Sequence, residues 1–269
     1  MGKAQHRHRN LQSLAAHPPG KPLYLSTDKR LDVDACDNAL TLRTQGSATR
    51  RIPFSRIERV ICNRNAWWSG RALTHCLRSG IPIVWLDGRQ QPIGSALSMH
   101  RDVNPHHVLL ERYVQLPDWP QRYDNWRTRR RLETLTAWAY RLAREGRQPS
   151  AQTMQLLKRE FVYKNIHPVH FPDEGHGWCT TYVVSRLQQE ELRDKYWGQD
   201  GHPLSLADDL TALLWAELNF DCSASALGAA SSGTRIGLFE NWINLHGHRF
   251  HVHLSDLHRH LATEVETWL

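Results

Sequence analysis

Alternating apolar and polar positions occupy most of the first hundred residues after Gly20, and this pattern predicts a series of short strands. Five strands are predicted first, over residues 23–26, 31–33, 39–43, 51–54 and 57–62. Ser69 then precedes an apolar-periodic stretch that stops at Gly80, which is typical of a capped helix. Two further strands, over 81–86 and 92–97, complete a small antiparallel β domain that carries one helix.

Beyond Asp102 the apolar residues recur at steps of three and four, which is typical of helices. The clearest helix covers residues 125–144, where one face carries Leu132, Leu135, Ala139 and Leu142. Further helices are predicted over residues 107–114, 151–161, 179–196, 205–218 and 254–268. The chain is therefore predicted to be an α+β protein, divided into a basic tail (1–20), a β domain (21–97), a linker (98–108) and a helical domain (109–269).

The charge of the chain is unevenly distributed. The 269 residues are enough to bury a core, and they carry a formal net charge of +7 with a pI of about 9.4. Residues 1–170 hold 28 Lys and Arg against 13 Asp and Glu, whereas residues 171–269 hold 6 against 14. This balance favours a polyanionic partner such as nucleic acid, and it places the anion-binding face in the first 170 residues.

A basic stretch within the predicted helix 125–144 is the main candidate for DNA contact. Arginines and flat aromatic rings lie close together there, a combination suited to a DNA backbone and frayed ends. The candidate DNA-binding residues are Arg127, Arg130, Arg131 and Arg141, beside Trp126 and Trp138, with Lys158, Arg159 and Lys164 as an extension. The alternative is a solvated helix face that pairs with the acidic last hundred residues.

The cysteine pattern and the hydropathy indicate the cellular compartment in which the protein is expected. Five cysteines are scattered without a C-x-x-C pair, which favours a reducing, cytoplasmic setting. No apolar run approaches the roughly twenty residues that a membrane span needs, so no membrane association is expected.

Six histidines cluster near the carboxyl end of the sequence, at His246, His248, His251, His253, His258 and His260. Imidazoles are frequent zinc ligands, so a zinc site is one interpretation. Their alternating spacing favours a strand pair and a turn, with solvated or phosphate-facing histidines. The glycine-rich stretch 228–233 lacks the Gly-Lys-Ser/Thr ending of a phosphate-binding loop and is predicted to be a flexible loop.

The order of several segments resembles the CRISPR-associated integrase family of spacer acquisition. The matching pieces of the β domain are Leu23-Tyr24-Leu25, Arg51-Ile52-Pro53-Phe54, Ile57-Glu58-Arg59-Val60, the helix 69–78, the run from Gly80 to Asp87, and Gly94. Two later pieces are similar as well, namely Arg112-Tyr113-x-Gln115 and Ser205-Leu206-Ala207-Asp208-Asp209-Leu210. The resemblance is good over residues 21–97 and patchy beyond them.

This resemblance implies a DNA transesterification, in which a 3′-hydroxyl attacks a phosphodiester of the repeat. A Mg²⁺ or Mn²⁺ ion held by a Glu, a His and a second acid would assist the attack. It also implies a homodimer formed through the β domain, a small ferredoxin-like CRISPR adaptation partner, and double-stranded DNA as substrate. A hetero-assembly with an active integrase copy is the alternative to the homodimer.

The chain departs from the family at each expected metal ligand. Ala212 stands where the second acid is expected, and Trp197 stands where the His is expected. The candidates for the first Glu are Glu145, Glu160 and Glu174, none in the expected surroundings. The acids left near the site are Asp208 and Asp209, which either form a displaced metal site with His202 or cap the start of a helix.

Three hypotheses follow from these observations. The first is a DNA-binding integrase-family subunit whose own metal site is weakened or absent. The second is an active Mg²⁺- or Mn²⁺-dependent integrase or endonuclease with displaced ligands. The third is an interaction protein that retains the dimer-forming β domain and has lost DNA binding.

Overall fold

The computed structural model describes residues 20–98, 105–167, 170–190, 192, 196–198, 204–222 and 231–268. Within these residues the strands come first and the helices dominate the rest of the chain. The strands are β1 (Lys21–Leu25), β2 (Leu31–Cys36), β3 (Ala39–Thr44), β4 (Arg50–Pro53), β5 (Ile57–Asn63), β6 (Ala66–Trp68), β7 (Ile83–Leu86) and β8 (Pro92–Ala96). The α+β class is confirmed.

The strands form two four-stranded sheets, in the orders β1-β5-β7-β8 and β4-β3-β2-β6. The prediction of an antiparallel unit is wrong for half of the strand pairs, because β1 and β5, β5 and β7, and β2 and β6 run parallel. The parallel pair β5–β7 is possible because helix α1 (Gly70–Arg78) lies between these strands in the chain and supplies the crossover. Alternation along a strand reports which face is buried and carries no information on the direction of its neighbour.

Helix α1 begins and ends as its sequence predicts. The Ser69 hydroxyl accepts a hydrogen bond from the Ala72 backbone N–H at 3.1 Å and donates one to Asp34 at 2.6 Å. Gly80 follows the helix with φ of +67°, a conformation that glycine adopts without steric strain. The cap therefore fixes α1 against β2, which contains Asp34.

Seven further helices follow among the described residues. They are α2 (Pro105–Tyr113), α3 (Trp119–Arg144), α4 (Ala151–Leu157) with its π-helical continuation (Lys158–Tyr163), α5 (Glu174–Gln189), α6 (Leu206–Asp221), α7 (Ser232–His246) and α8 (His248–Trp268). The sequence did not predict α7, which begins at the end of the predicted loop 228–233; Ser231 caps it, and residues 228–230 lie outside the described residues.

The buried face of α3 differs from the predicted one. Leu135 is buried, but Leu132 is 37% exposed, while Tyr123 and Trp126 lie in the core. The aromatic rings of the first half of the helix, and not its leucines alone, decide which side packs inward.

The prediction of a strand pair around the carboxyl-terminal histidines is wrong, because His246 ends α7 and the other five lie on α8. Phe250, Leu254, Leu257 and Leu261 are buried at steps of three and four residues. The spacing of these apolar residues, and not the alternation of the histidines, determines that the segment is a helix. The side chain of His253 is also buried, whereas those of His248 and His251 are exposed.

The first sheet and the helices share one hydrophobic core. Ile61, Val84 and Leu86 of the sheet pack in the same cluster as Trp178 of α5 and Trp215 of α6. A second cluster fills the space between the two sheets and α1. No helix among the described residues is long and apolar enough to cross a membrane.

Candidate functional site

Helices α3 and α6 pack against each other and form a small pocket at their contact. Trp126, Arg127 and Arg131 of α3 line it from one side, and Asp209, Ala212 and Leu213 of α6 from the other. Asn165, just beyond the π-helical segment, completes the lining. The acid retained by the sequence, Asp209, and the alanine at the expected ligand position, Ala212, therefore face the same space.

The two carboxylate oxygens of Asp209 both have partners. Oδ2 accepts a hydrogen bond from the Tyr123 hydroxyl at 2.9 Å, and Oδ1 accepts one from Nη1 of Arg127 at 3.2 Å. Arg127 also donates from Nη2 to Asp124 at 2.7 Å. Burial raises the pKa of Asp209, while Arg127 and Tyr123 act in the opposite direction. A guanidinium thus supplies the positive charge beside this acid.

The described residues around Asp209 do not form a ligand set for a divalent metal ion. Asp208 accepts a hydrogen bond from the Ser205 hydroxyl at 2.5 Å, which links it to the residue that precedes the helix. The methyl group of Ala212 has no lone pair to donate. Within the part of the chain that the structure describes, no three His, Cys, Asp or Glu side chains are grouped so that they could hold a metal.

The other predicted metal-site positions lie elsewhere or outside the described residues. Trp197 is 5% exposed, and its backbone forms a bridge with Ser205. His202 lies outside the described residues. The three candidate glutamates have other ion-pair partners: Glu145 pairs with Arg147, Glu160 with Arg159 and Lys164, and Glu174 with Arg235. None of these three pairs with a group of the α3–α6 pocket.

The candidate DNA-binding arginines of α3 are mostly paired with acids. Arg130 donates to Glu133 at 2.7 Å and to Nδ1 of His253 at 2.8 Å. Arg141 donates to Asp221 at 3.0 Å. Arg131 differs, since its guanidinium donates to the Thr128 hydroxyl at 3.4 Å and has no carboxylate partner among the described residues. Arg130 and Arg141 are therefore each paired with a carboxylate, whereas no described carboxylate pairs with Arg131.

The structure also brings two histidines into this region that sequence reasoning missed, His167 and His176. Burial, together with the charges of His176 and Arg131, lowers the pKa of His167 to about 4. Burial also lowers the pKa of His176, although Asp208 and Asp173 act against this. The sequence offers no local signal that places His167 near Arg131 of α3 or His176 near Asp208 of α6.

Comparisons with known proteins agree with this architecture. The family model of CRISPR associated protein Cas1 matches residues 23–126. The chain is similar to a Cas1 protein from Thermotoga maritima, with a TM-score of 0.66, 14% identity, and coverage of 90% of this chain and 97% of that one. A comparison with curated protein sequences gives no match.

Two further solved structures are similar in fold. The TtCas1–DNA complex has a TM-score of 0.58 and 14% identity, with coverage of 90% of this chain and 91% of that one. A Cas6-RT-Cas1–Cas2 complex has a TM-score of 0.59 and 14% identity, with coverage of 91% of this chain and 35% of that longer one. The family model thus matches the first part of the chain, and the fold is similar to that of a Cas1 protein over 90% of this chain.

Proposed function

We propose that this chain is a DNA-binding subunit of the CRISPR adaptation integrase family that lacks a working metal centre of its own. The observation that carries this proposal is the Arg127–Asp209 pair, in which the arginine neutralises the acid that a metal ion would need. Ala212 removes the neighbouring ligand. The chain would therefore bind DNA without activating a 3′-hydroxyl for attack on a phosphodiester.

The partners proposed for the chain follow from its relatives. One similar protein is bound to DNA, and another belongs to a complex with Cas2 and Cas6. For this chain we propose double-stranded DNA, a small ferredoxin-like adaptation partner, and either a homodimer through the β domain or an assembly with an active integrase copy. In the second arrangement the active copy would supply the Mg²⁺ or Mn²⁺ chemistry.

The proposal is tested with the purified full chain, a labelled repeat duplex and a fragment with free 3′ ends. We expect duplex binding that weakens as salt rises, with the same affinity in Mn²⁺ and in EDTA, and no joined or nicked product. Robust manganese-dependent joining would overturn the proposal. Absence of duplex binding at low salt would overturn it as well and would favour the interaction protein.

The variant Asp209→Ala separates this proposal from an active enzyme with displaced ligands. If Asp209 held a metal, the variant would lose divalent-ion binding and activity together. We expect instead that titration with Mn²⁺ detects no ion binding in either the wild type or the variant. Asp173→Ala, at an exposed acid outside the pocket, is the matched control for the loss of one carboxylate.

A further inference from the structure

A large open groove lies between the first sheet and the helices α5, α7 and α8, and we call it the β1–α7 groove. Strands β1, β5 and β7 run parallel, so their amino ends meet at one edge of the sheet, where Lys21, Glu58 and Ile81 line the groove. Its volume is about 1090 Å³, whereas sites for drug-sized molecules have about 300–1,000 Å³. The groove is therefore large enough for several residues of a peptide.

Both carboxylates that line the β1–α7 groove are paired. Arg59 contacts Glu58 at 3.1 Å and Glu240 at 2.8 Å. Arg186 contacts Glu58 at 3.3 Å, and the Tyr24 hydroxyl donates to Glu240 at 2.6 Å. Because each carboxylate already has two donors, neither is available to attract a cationic ligand.

The exposed polar side chains of the groove are donors that no acid of the protein neutralises. Lys21 and His248 are exposed, and neither forms an ion pair within the part of the chain that the structure describes. Ser79 and Asn244, which are exposed as well, add a hydroxyl and an amide that can donate. The charge left to act on a ligand is therefore positive, and such complementarity selects partners of opposite charge and speeds their association.

Charge also distinguishes between two peptides that could occupy the groove. Residues 1–19 join the groove at Gly20 and contain Lys3, Arg7 and Arg9 but no Asp or Glu, so Lys21 repels them. A segment with Asp or Glu would instead pair with Lys21. Pro22 and Ile236 line the groove and are half-buried, so they leave apolar surface that aliphatic side chains of a peptide can cover.

We propose that the β1–α7 groove binds a short acidic segment of a partner protein. Lys21 is its cationic contact, His248 and Asn244 are hydrogen-bond donors, and Pro22 and Ile236 contact its aliphatic side chains. This inference goes beyond the proposed function, because it concerns a protein partner and a surface that shares no residue with the α3–α6 pocket.

The test titrates the full chain into two fluorescein-labelled octapeptides, one composed of Glu, Ile and Ser, the other with Lys in place of each Glu. Fluorescence anisotropy should show saturable binding of the acidic peptide, weakened by salt, and none of the basic peptide. Lys21→Glu should weaken acidic-peptide binding about tenfold. Lys29→Glu makes the same charge change at an exposed lysine beyond the carboxyl end of β1, and it should weaken binding less than about twofold. Equal binding of the two peptides, or of neither, would overturn the inference.

A second pair of variants fills the groove without changing its charge. Asn244 and Asn241 are both exposed on α7, but only Asn244 lines the groove. We expect Asn244→Trp to weaken binding of the acidic peptide about tenfold, because the indole takes the place of the peptide. Asn241→Trp should leave the affinity unchanged. The same affinity in both variants would contradict the proposed location.

Other occupants of the groove give different results. If Asn244→Trp weakens duplex binding as much as peptide binding, the groove is a nucleic-acid surface and the inference fails. If sedimentation velocity shows that Asn244→Trp converts a dimer into a monomer, the groove is a contact between two copies of the chain, and the inference fails again. A wild-type chain that binds the acidic peptide but no duplex would contradict only the proposed function.

Discussion

The first 170 residues and the last 99 differ sharply in charge, yet they do not form separate basic and acidic surfaces. Arginines of the first region pair with acids of the second at several contacts: Arg59 with Glu240, Arg122 with Glu264, Arg127 with Asp209, Arg129 with Asp256, and Arg141 with Asp221. The net charge of a segment therefore overstates the charge that it presents to DNA. Of the four arginines that the sequence proposed for DNA contact, Arg127 and Arg141 pair with acids of the last 99 residues.

The pairs between the two regions differ in burial, and this decides their energetic weight. Arg59 is 2% exposed and contacts Glu58 and Glu240, while the Tyr24 hydroxyl donates to Glu240 at 2.6 Å. Arg141, by contrast, is 36% exposed. Removing one partner of a buried pair leaves an uncompensated charge, whereas an exposed pair is replaced by water.

The largest effect is expected from Glu240→Gln, which removes the charge of one partner of the buried Arg59. We expect the free energy of unfolding to fall by about 3 kcal/mol, because Arg59 then depends on Glu58 alone within the core. Urea unfolding followed by circular dichroism measures this. Glu145→Gln, which breaks the exposed pair with Arg147, is the control and should cost less than about 0.5 kcal/mol. Equal losses in the two variants would contradict the distinction by burial.

A smaller effect is expected from His167, whose titration makes the free energy of unfolding depend on pH. Burial lowers the pKa of His167 from 6.5 to about 4, with the charges of His176 and Arg131 acting in the same direction. The unfolded chain binds a proton at this histidine near pH 6.5, and the folded chain does not until near pH 4. The stability that this group contributes is therefore complete above pH 6.5 and is lost as pH falls through this window.

The variant His167→Phe removes that titration, so its free energy of unfolding should decline less between about pH 6.5 and about pH 4 than that of the wild type. The difference is on the order of 1 kcal/mol, since the side chain is only partly shielded from water. Urea unfolding at several pH values measures it. The same substitution at the exposed His248 serves as the control for the loss of an imidazole. Parallel stability curves for His167→Phe and the wild type would rule out this origin of acid sensitivity.

The β region could be predicted from the sequence far more completely than the helical region. Its strands and the helix α1 follow from local signals, such as the alternation along β2 and the Ser69 cap, which act within a few residues. The short strand β6 was missed, and so was the direction of strand pairing, because that direction depends on chain crossovers. The α3–α6 pocket depends instead on contacts between residues far apart in sequence, such as Arg127 with Asp209.

For the same reason, the sequence predicts only part of the candidate site. Ala212 and Trp197 could be recognised as departures by their order in the chain, and Asp209 as an acid at a helix start. No local signal shows that Arg127 faces Asp209 or that Arg131 lacks an acid. Those facts depend on how the helices pack, and they separate one basic residue from its neighbours on the same helix.

The smallest effect is expected from Arg141→Gln, and its size tests whether a paired arginine still attracts DNA. Asp221 keeps hydrogen bonds from Arg249 at 2.6 Å and from Trp242 Nε1 at 3.2 Å, so the loss of Arg141 leaves no unsatisfied acid. The free energy of unfolding should fall by about 0.5 kcal/mol or less. The salt dependence of duplex binding should change less than in Arg131→Gln, because Asp221 already neutralises the Arg141 charge. A change in the slope of log affinity against log salt concentration as large as that of Arg131→Gln would contradict this. It would show that an arginine paired with an acid of the last 99 residues still contributes its charge to DNA binding.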